Sequence, residues 1–299
     1  MENETVTRAQ VPAEEWGGLA DQKKVSPVLL GFLSLPLIFL FYQGMGAILM
    51  LMAGIQSPAD HVNLTRLIQG ASQVFFLGIP VLLLILLQTR RLADYTFLNG
   101  PLSLKQVILI PFSVITIQPC IQWIAYMERQ IPWPSAMTDF RDQMESLLKT
   151  MVTADSLPEF GLVLIVVAVI PAFIEEFYFR GYLLRNFSRG YSGLTPVLLT
   201  GVLFGLFHFN PFQLTGLFLL GVYFSFIVWW TRSLWAGILA HFVNNGLAVT
   251  MVFLAGNGSL DIPLDDPDYQ LPWQSVVFSV ILFSGCVWML VRQPKSDTQ

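Results

Sequence analysis

The sequence predicts an all-α fold, a polytopic membrane helix bundle with about eight transmembrane helices, and three observations carry that prediction. Hydrophobic residues make up 54% of the 299 positions and charged residues 12%, whereas a soluble globular domain carries about 25% charged residues. The apolar residues lie in long blocks; they are not interleaved with polar ones, so the bilayer is the solvent the chain is built for. The sixteen Lys and Arg residues also sort unevenly between the two sides of those blocks, as the positive-inside rule requires of a spanning protein.

The blocks run at about 27–53, 68–88, 105–126, 159–186, 194–210, 212–230, 233–255 and 272–291. At 1.5 Å per residue, about 20 residues cross a hydrocarbon core of about 30 Å. The first follows a polar, partly acidic stretch, 1–26, that lacks the basic start and small-residue cleavage site of a secretory signal, so it is expected to persist as a cytoplasmic tail. Pro36, Pro80, Pro111 and Pro171 inside the blocks predict kinks, because neighbouring helices can satisfy the carbonyls they free. Between the third and fourth blocks, Phe140, Met144, Leu147, Leu148 and Met151 recur at helical spacing opposite Asp142, Glu145 and Lys149, which predicts a helix near 139–152 lying along the interface. The fifth and sixth blocks are short and meet at Asn210 and Pro211, which predicts a tight helical hairpin. The organisation expected is one transmembrane domain over 27–291 and a cytoplasmic tail at 292–299, with no internal repeat.

With both termini in the cytoplasm, twelve of the Lys and Arg residues fall inside and four, Arg66, Arg129, Arg141 and Lys149, fall outside. The expected location is therefore a cell membrane, in the orientation of a bacterial inner membrane, with the lipid bilayer itself as a partner. The net charge of -4 includes no basic stripe, so no nucleic acid is expected to bind. Cys120 and Cys286 each lie within an apolar block and read as small buried hydrophobes.

Chemistry is concentrated in three blocks. The fourth carries Glu175, Glu176 and Arg180 in an otherwise apolar run, where each ionised group costs about 2.5–3.5 kcal/mol at the centre of a spanning helix. Glu176 and Arg180 are four residues apart and share a helix face, so they can neutralise each other. Glu175 is turned away from that face by about 100° and is left over. The fifth block adds Phe204 and His208, and the seventh adds His241, Asn244 and Asn245. Two of the chain's three histidines thus lie within apolar blocks. His241 and Asn245 share a face through their four-residue spacing, with Asn244 available if the face is rotated. Glu175 and His208 are 33 residues apart with their midpoint in the Gly190–Gly193 turn, so an antiparallel hairpin sets them level. A single site is expected to gather Glu175, His208 and Asn245 and to open toward the cytoplasm. Gly201, Gly205, Gly237 and Ala240 permit close helix approach beside it.

Glu-Glu-x-x-x-Arg at 175–180, Phe-x-x-x-His at 204–208 and His-x-x-x-Asn at 241–245, in order on successive apolar blocks, resemble the three motifs of the CAAX protease and bacteriocin-processing family, whose core would cover about 158–255. The resemblance, closest to the type II CAAX prenyl endopeptidases, implies an intramembrane endopeptidase acting on a peptide or protein presented at the membrane. It implies Glu175 as the base that activates water, His208 as its partner, and His241 with Asn245 as oxyanion stabilisers. Glu176, Arg180, Phe204 and Asn244 would shape the site. No cofactor is expected on this reading. The alternative is a catalytic zinc held by Glu175, His208 and His241, a donor set of two imidazoles and a carboxylate that leaves one position open. Intramembrane Glu, His and Arg also occur in proton-coupled transporters, so a transporter, an immunity protein or a scaffold is the competing class.

Overall fold

The computed structural model describes residues 16–261 and 269–292. Of the two expected tails, 1–15 and 293–299 lie outside the described residues. The described chain is helical throughout, with no strand among the described residues and one isolated bridge between Gly17 and Thr89. Among the described residues, eight long helices form the bundle and one lies outside it: α1 (Pro27–Met52), α2 (Pro58–Gln88), α3 (Leu104–Arg129), α4 (Ser135–Val152), α5 (Leu157–Ser188), α6 (Thr195–Phe207), α7 (Pro211–Thr231), α8 (Leu234–Gly256) and α9 (Trp273–Val291). Seven of them, all except α4 and α6, are long and apolar enough to cross a membrane. The chain is a multi-pass membrane protein. Leu37, Leu40, Leu51, Leu83, Phe278 and Ile281 are among the many large apolar side chains left exposed on the bundle, an outer surface that lipid can cover and water cannot.

Local chemistry sets the helix ends. The Ser26 hydroxyl accepts from the Leu29 amide and Pro27 supplies a preset first turn to α1. Ser103 and Gln106 close a reciprocal capping box on α3. α5 packs against α2, α6, α7 and α8, while α3 packs against α7, α8 and α9. Around α5, Tyr178, Phe179 and Tyr182 meet Ile38, Leu77 and Val81 on one side. A second apolar cluster joins Ile110, Val114, Phe224, Ile227 and Ala236.

Two expectations are corrected. α2 starts at Pro58, ten residues before the apolar block at 68. Arg66, read as an external loop cation, is instead 1% exposed within that helix. It is accommodated because it donates to Glu159 at 2.6 Å, Asn63 at 2.7 Å and the carbonyls of Thr150 at 2.7 Å, Met151 at 3.0 Å and Thr153. Those carbonyls belong to the end of α4, where a helix leaves acceptors unpaired. Arg66 therefore fastens the interfacial helix to the bundle, and α4 itself buries none of its residues. The second correction concerns α6. The apolar block 194–210 yields a helix of 13 residues, about 20 Å long and too short to span. Asn210 is extended, as a residue before proline tends to be, and its side chain accepts from the Phe212 amide, so the turn at 210–211 ends the helix early. The expected hairpin forms: a Cβ on Gly201 would stand 2.5 Å from the Val222 nitrogen and one on Gly205 2.1 Å from the Phe218 ring, so α6 and α7 touch where only glycine fits.

Candidate active site

α5 departs from regular helix twice, in π-helical stretches at Leu164–Val169 and Phe177–Leu183, with Glu175 and Glu176 between them. π-Bulges of this kind recur at functional sites. Pro171 has no amide hydrogen, so the carbonyl of Val167, four residues earlier, loses its helical donor. Asn245 on α8 replaces it, its Nδ2 donating to Val167 O at 2.9 Å. Asn244 Nδ2 donates to Asn245 Oδ1 at 3.0 Å, and Gln118 Nε2 on α3 donates to Asn244 Oδ1 at 3.1 Å. The two asparagines thus tie α5, α8 and α3 together.

Adjacent positions on one helix send the two glutamates to different neighbours. Glu176 is fully buried and pairs with Arg180, whose Nη1 donates to Glu176 Oε1 at 2.6 Å. The remaining Arg180 donors go to Ser225 Oγ at 3.2 Å and Gly221 O at 2.9 Å, and its guanidinium lies 4.6 Å from the Phe204 ring centroid and 5.5 Å from that of Phe224. The expected ion pair is present. His241 joins it: Nδ1 lies 2.9 Å from Glu176 Oε1, with the ring between Phe204 and Phe224. With Nδ1–H donating to the carboxylate, a neutral ring carries a lone pair on Nε2, and a doubly protonated ring presents a donor there. A Cβ on Gly237 would come within 2.4 Å of Glu176 Oε2, so the absence of a side chain at 237 lets α8 close on the pair.

Glu175 faces the other way. Its Oε1 accepts from Gln73 Nε2 at 3.2 Å, and its Oε2 is buried without a hydrogen-bond partner and lies 3.9 Å from His208 Nε2. His208 occupies the C-cap of α6, where Nδ1 lies 2.8 Å from the Phe204 carbonyl. A carbonyl can only accept, so Nδ1 carries the hydrogen and Nε2, in the neutral ring, turns a lone pair toward Glu175. The His208 side chain is 31% exposed and that of Glu175 12%, so the pair is reached past the imidazole. The Phe204 ring lies tilted at 4.7 Å from His208 and edge-on at 5.8 Å from His241, so it touches both clusters.

The expected level pairing of Glu175 and His208 is found. The expected opening toward the cytoplasm is not supported, because the α6–α7 link packs at the α4 end of the bundle. Phe212 meets Trp133 and Phe140 there, and the Thr215 amide donates to Glu128 at 2.9 Å. In the orientation given by the charge bias, that end is the exterior one. Asn245 is taken up by the Val167 carbonyl, which leaves it one further amide hydrogen. Three residues absent from the sequence reading belong to the site. Gln73 opens the π-helical stretch Gln73–Gly78 and orients Glu175, Gln69 Nε2 donates to Tyr42 Oη at 2.6 Å, and Tyr42 neighbours both Gln73 and Glu175. Two glutamines one turn apart, entering an apolar run, were a polar signal of the same kind as the histidines.

The zinc donor set does not assemble. His241 turns to Glu176 and not to Glu175, and among the described residues no group of three or more His, Cys, Asp or Glu side chains is placed to hold a metal. The fold defines a multi-pass membrane protein in which the motif-bearing helices α5, α6 and α8 meet. Residues 158–247 match the family model described as type II CAAX prenyl endopeptidase Rce1-like. The chain therefore carries an Rce1-like segment, and that segment holds Glu175, Glu176, Arg180, Phe204, His208, His241, Asn244 and Asn245. No curated protein and no solved structure matches the chain.

Proposed function

We propose that the chain is an intramembrane endopeptidase that hydrolyses peptide bonds of membrane-associated substrates, processing a C-terminal, CAAX-like segment, with Glu175 as the group that activates water. The observation that carries this reading is the pairing of two acceptors, Glu175 Oε2 and His208 Nε2, at 3.9 Å. One water can donate a hydrogen to each and turn its lone pairs outward, toward a peptide carbonyl. Glu175 takes a proton as the water oxygen attacks, and the same proton is available to the departing amine when the carbon–nitrogen bond breaks. Gln73 fixes the carboxylate from its other oxygen.

The oxyanion formed on the carbonyl needs donors. His241, held by Glu176, offers Nε2–H when doubly protonated, and Asn245 offers its second amide hydrogen. The Arg180–Glu176 pair then has a positioning role, fixing the ring of His241 from behind. None of these steps passes through a metal.

A peptide-cleavage screen on the reconstituted protein tests the assignment, comparing wild type with Glu175→Gln. Gln keeps the shape and the Gln73 contact but cannot accept the proton, so turnover should fall by at least about 10²-fold, the size of a lost general base, with folded yield retained. Cleavage undiminished in Glu175→Gln, or no cleavage of any membrane peptide by wild type alongside proton-coupled transport, would overturn it.

A further inference from the structure

We propose that the end of the bundle opposite α4 binds one anionic phospholipid, its phosphate held by Arg185 and Arg232 and one acyl chain lying in the cleft between α5 and α8. The starting observation is an imbalance among the inward arginines. Arg66, Arg180 and Arg189 each meet a carboxylate, from Glu159, Glu176 and Asp21. Arg185, 9% exposed, has no ion pair among the described residues. Its Nε donates to the Tyr95 carbonyl at 2.6 Å, and its guanidinium lies 4.1 Å from the Phe97 ring centroid and 5.4 Å from that of Trp16. Both terminal nitrogens lack a hydrogen-bond partner among the described residues. The body of Arg185 is buried while its terminal nitrogens stay open to an incoming group, and their planar donor fork suits a phosphate.

The surroundings are built rigidly around that cation. Arg232 places a second guanidinium 5.2 Å from the same Phe97 ring. Phe97 and Arg232 both adopt left-handed backbone, φ +61° and +57°, a conformation that non-glycine residues hold only where surrounding contacts impose it. The contacts are present: Leu234 N donates to Phe97 O at 3.0 Å, Ser233 Oγ donates to Gly100 O at 2.6 Å, and a Cβ on Gly100 would stand 2.1 Å from Arg232 O.

An apolar cleft of about 390 Å³ lies between α5 and α8, walled by Val169, Phe173, Trp235, Ile238, Leu239 and Phe242, and Trp235 follows closely on Arg232 in the chain. Phe97 packs against the cluster of Ala172, Leu234 and Ile238, and Ile238 also walls the cleft, so Phe97 links the two arginines to the packing around it. Trp235 spends its indole N–H on the Leu98 carbonyl at 3.0 Å and presents carbon to the cleft. A cation without an ion pair among the described residues, joined through Phe97 to the packing around an apolar slot, is complementary to a molecule with a phosphate and a chain. A neutral isoprenoid would fill the slot and leave Arg185 unanswered. The charge bias assigns this end to the cytoplasmic leaflet, where anionic lipid is concentrated.

Native mass spectrometry of the full-length protein, in mixed micelles of phosphatidylglycerol and phosphatidylcholine with identical chains, tests the proposal. Wild type should retain the anionic lipid about tenfold over the zwitterionic one, and Arg185→Gln and Arg232→Gln should each bring the ratio to within about twofold. Leu239→Trp, which fills the cleft, should reduce both adducts and leave their ratio alone. Equal retention by wild type overturns the proposal. So does glycerol phosphate, which lacks chains, displacing the lipid at equal concentration. Arg232 is exposed, so Arg232→Gln decides the matter if Arg185→Gln fails to fold, and an unchanged ratio there also overturns it.

Discussion

Glu175 and Glu176 are neighbours in sequence with opposite duties, and substitution should separate them. Removing Arg180 strands a fully buried carboxylate at Glu176, a loss of about 3–5 kcal/mol for a broken buried pair. Arg180→Ala should therefore lower folded yield and thermal stability in detergent together with activity, whereas Glu175→Gln should leave the melting profile near that of wild type. Equal melting temperatures for Arg180→Ala and wild type would show the pair to be dispensable. Gln73→Leu removes the donor to Glu175 Oε1 without touching the Glu176 cluster. Its expected signature is a fall in kcat of about tenfold or more with folded yield retained, since a misoriented base is a weaker catalyst even when present. A melting transition lowered as far as that of Arg180→Ala would instead make Gln73 a structural residue.

At the scale of the helix, proline explains why Asn245 stands where it does. Pro171 frees the Val167 carbonyl and Asn245 satisfies it, so Asn245→Ala should cost about 1–3 kcal/mol of stability from a buried acceptor left without a donor. Pro171→Ala restores a backbone donor at 171. The two substitutions should then be non-additive, the double variant recovering part of the loss seen in Asn245→Ala. Additive effects in that cycle would mean that the carbonyl is satisfied some other way. The same element shows what the sequence made legible. Hydrophobic length located the seven spanning helices but overextended α6, and the four-residue spacing of Glu176 and Arg180 identified their pair, because both signals depend on helix geometry alone. The bond of His241 to Glu176, the anchoring of Asn245 and the entry of Gln73 depend on how three helices rotate against one another, which single-helix periodicity does not encode. Arg66 was misplaced for a related reason. A cation reads as a loop residue until the end of another helix, α4, supplies the carbonyls that hold it.

Across the molecule, short α6 and long α5 bring His208 to Glu175 from a helix that crosses only part of the bilayer. The donor set for zinc is split between two clusters, both of which touch Phe204. Hydrolysis should accordingly continue after prolonged treatment with a chelator. One equivalent of tightly bound zinc, with activity lost on its removal and restored on its return, would contradict this and keep the peptidase assignment.

The central claim, that Glu175 and His208 act on one and the same water, is tested most directly by the single-turnover rates of Glu175→Gln, His208→Ala and the double variant on a peptide that wild type cleaves. Residues that work as a unit give strongly non-additive losses. The double variant should then be no slower than about twofold below Glu175→Gln alone. Losses that multiply, or a Glu175→Gln protein that turns over at the wild-type rate, would contradict it.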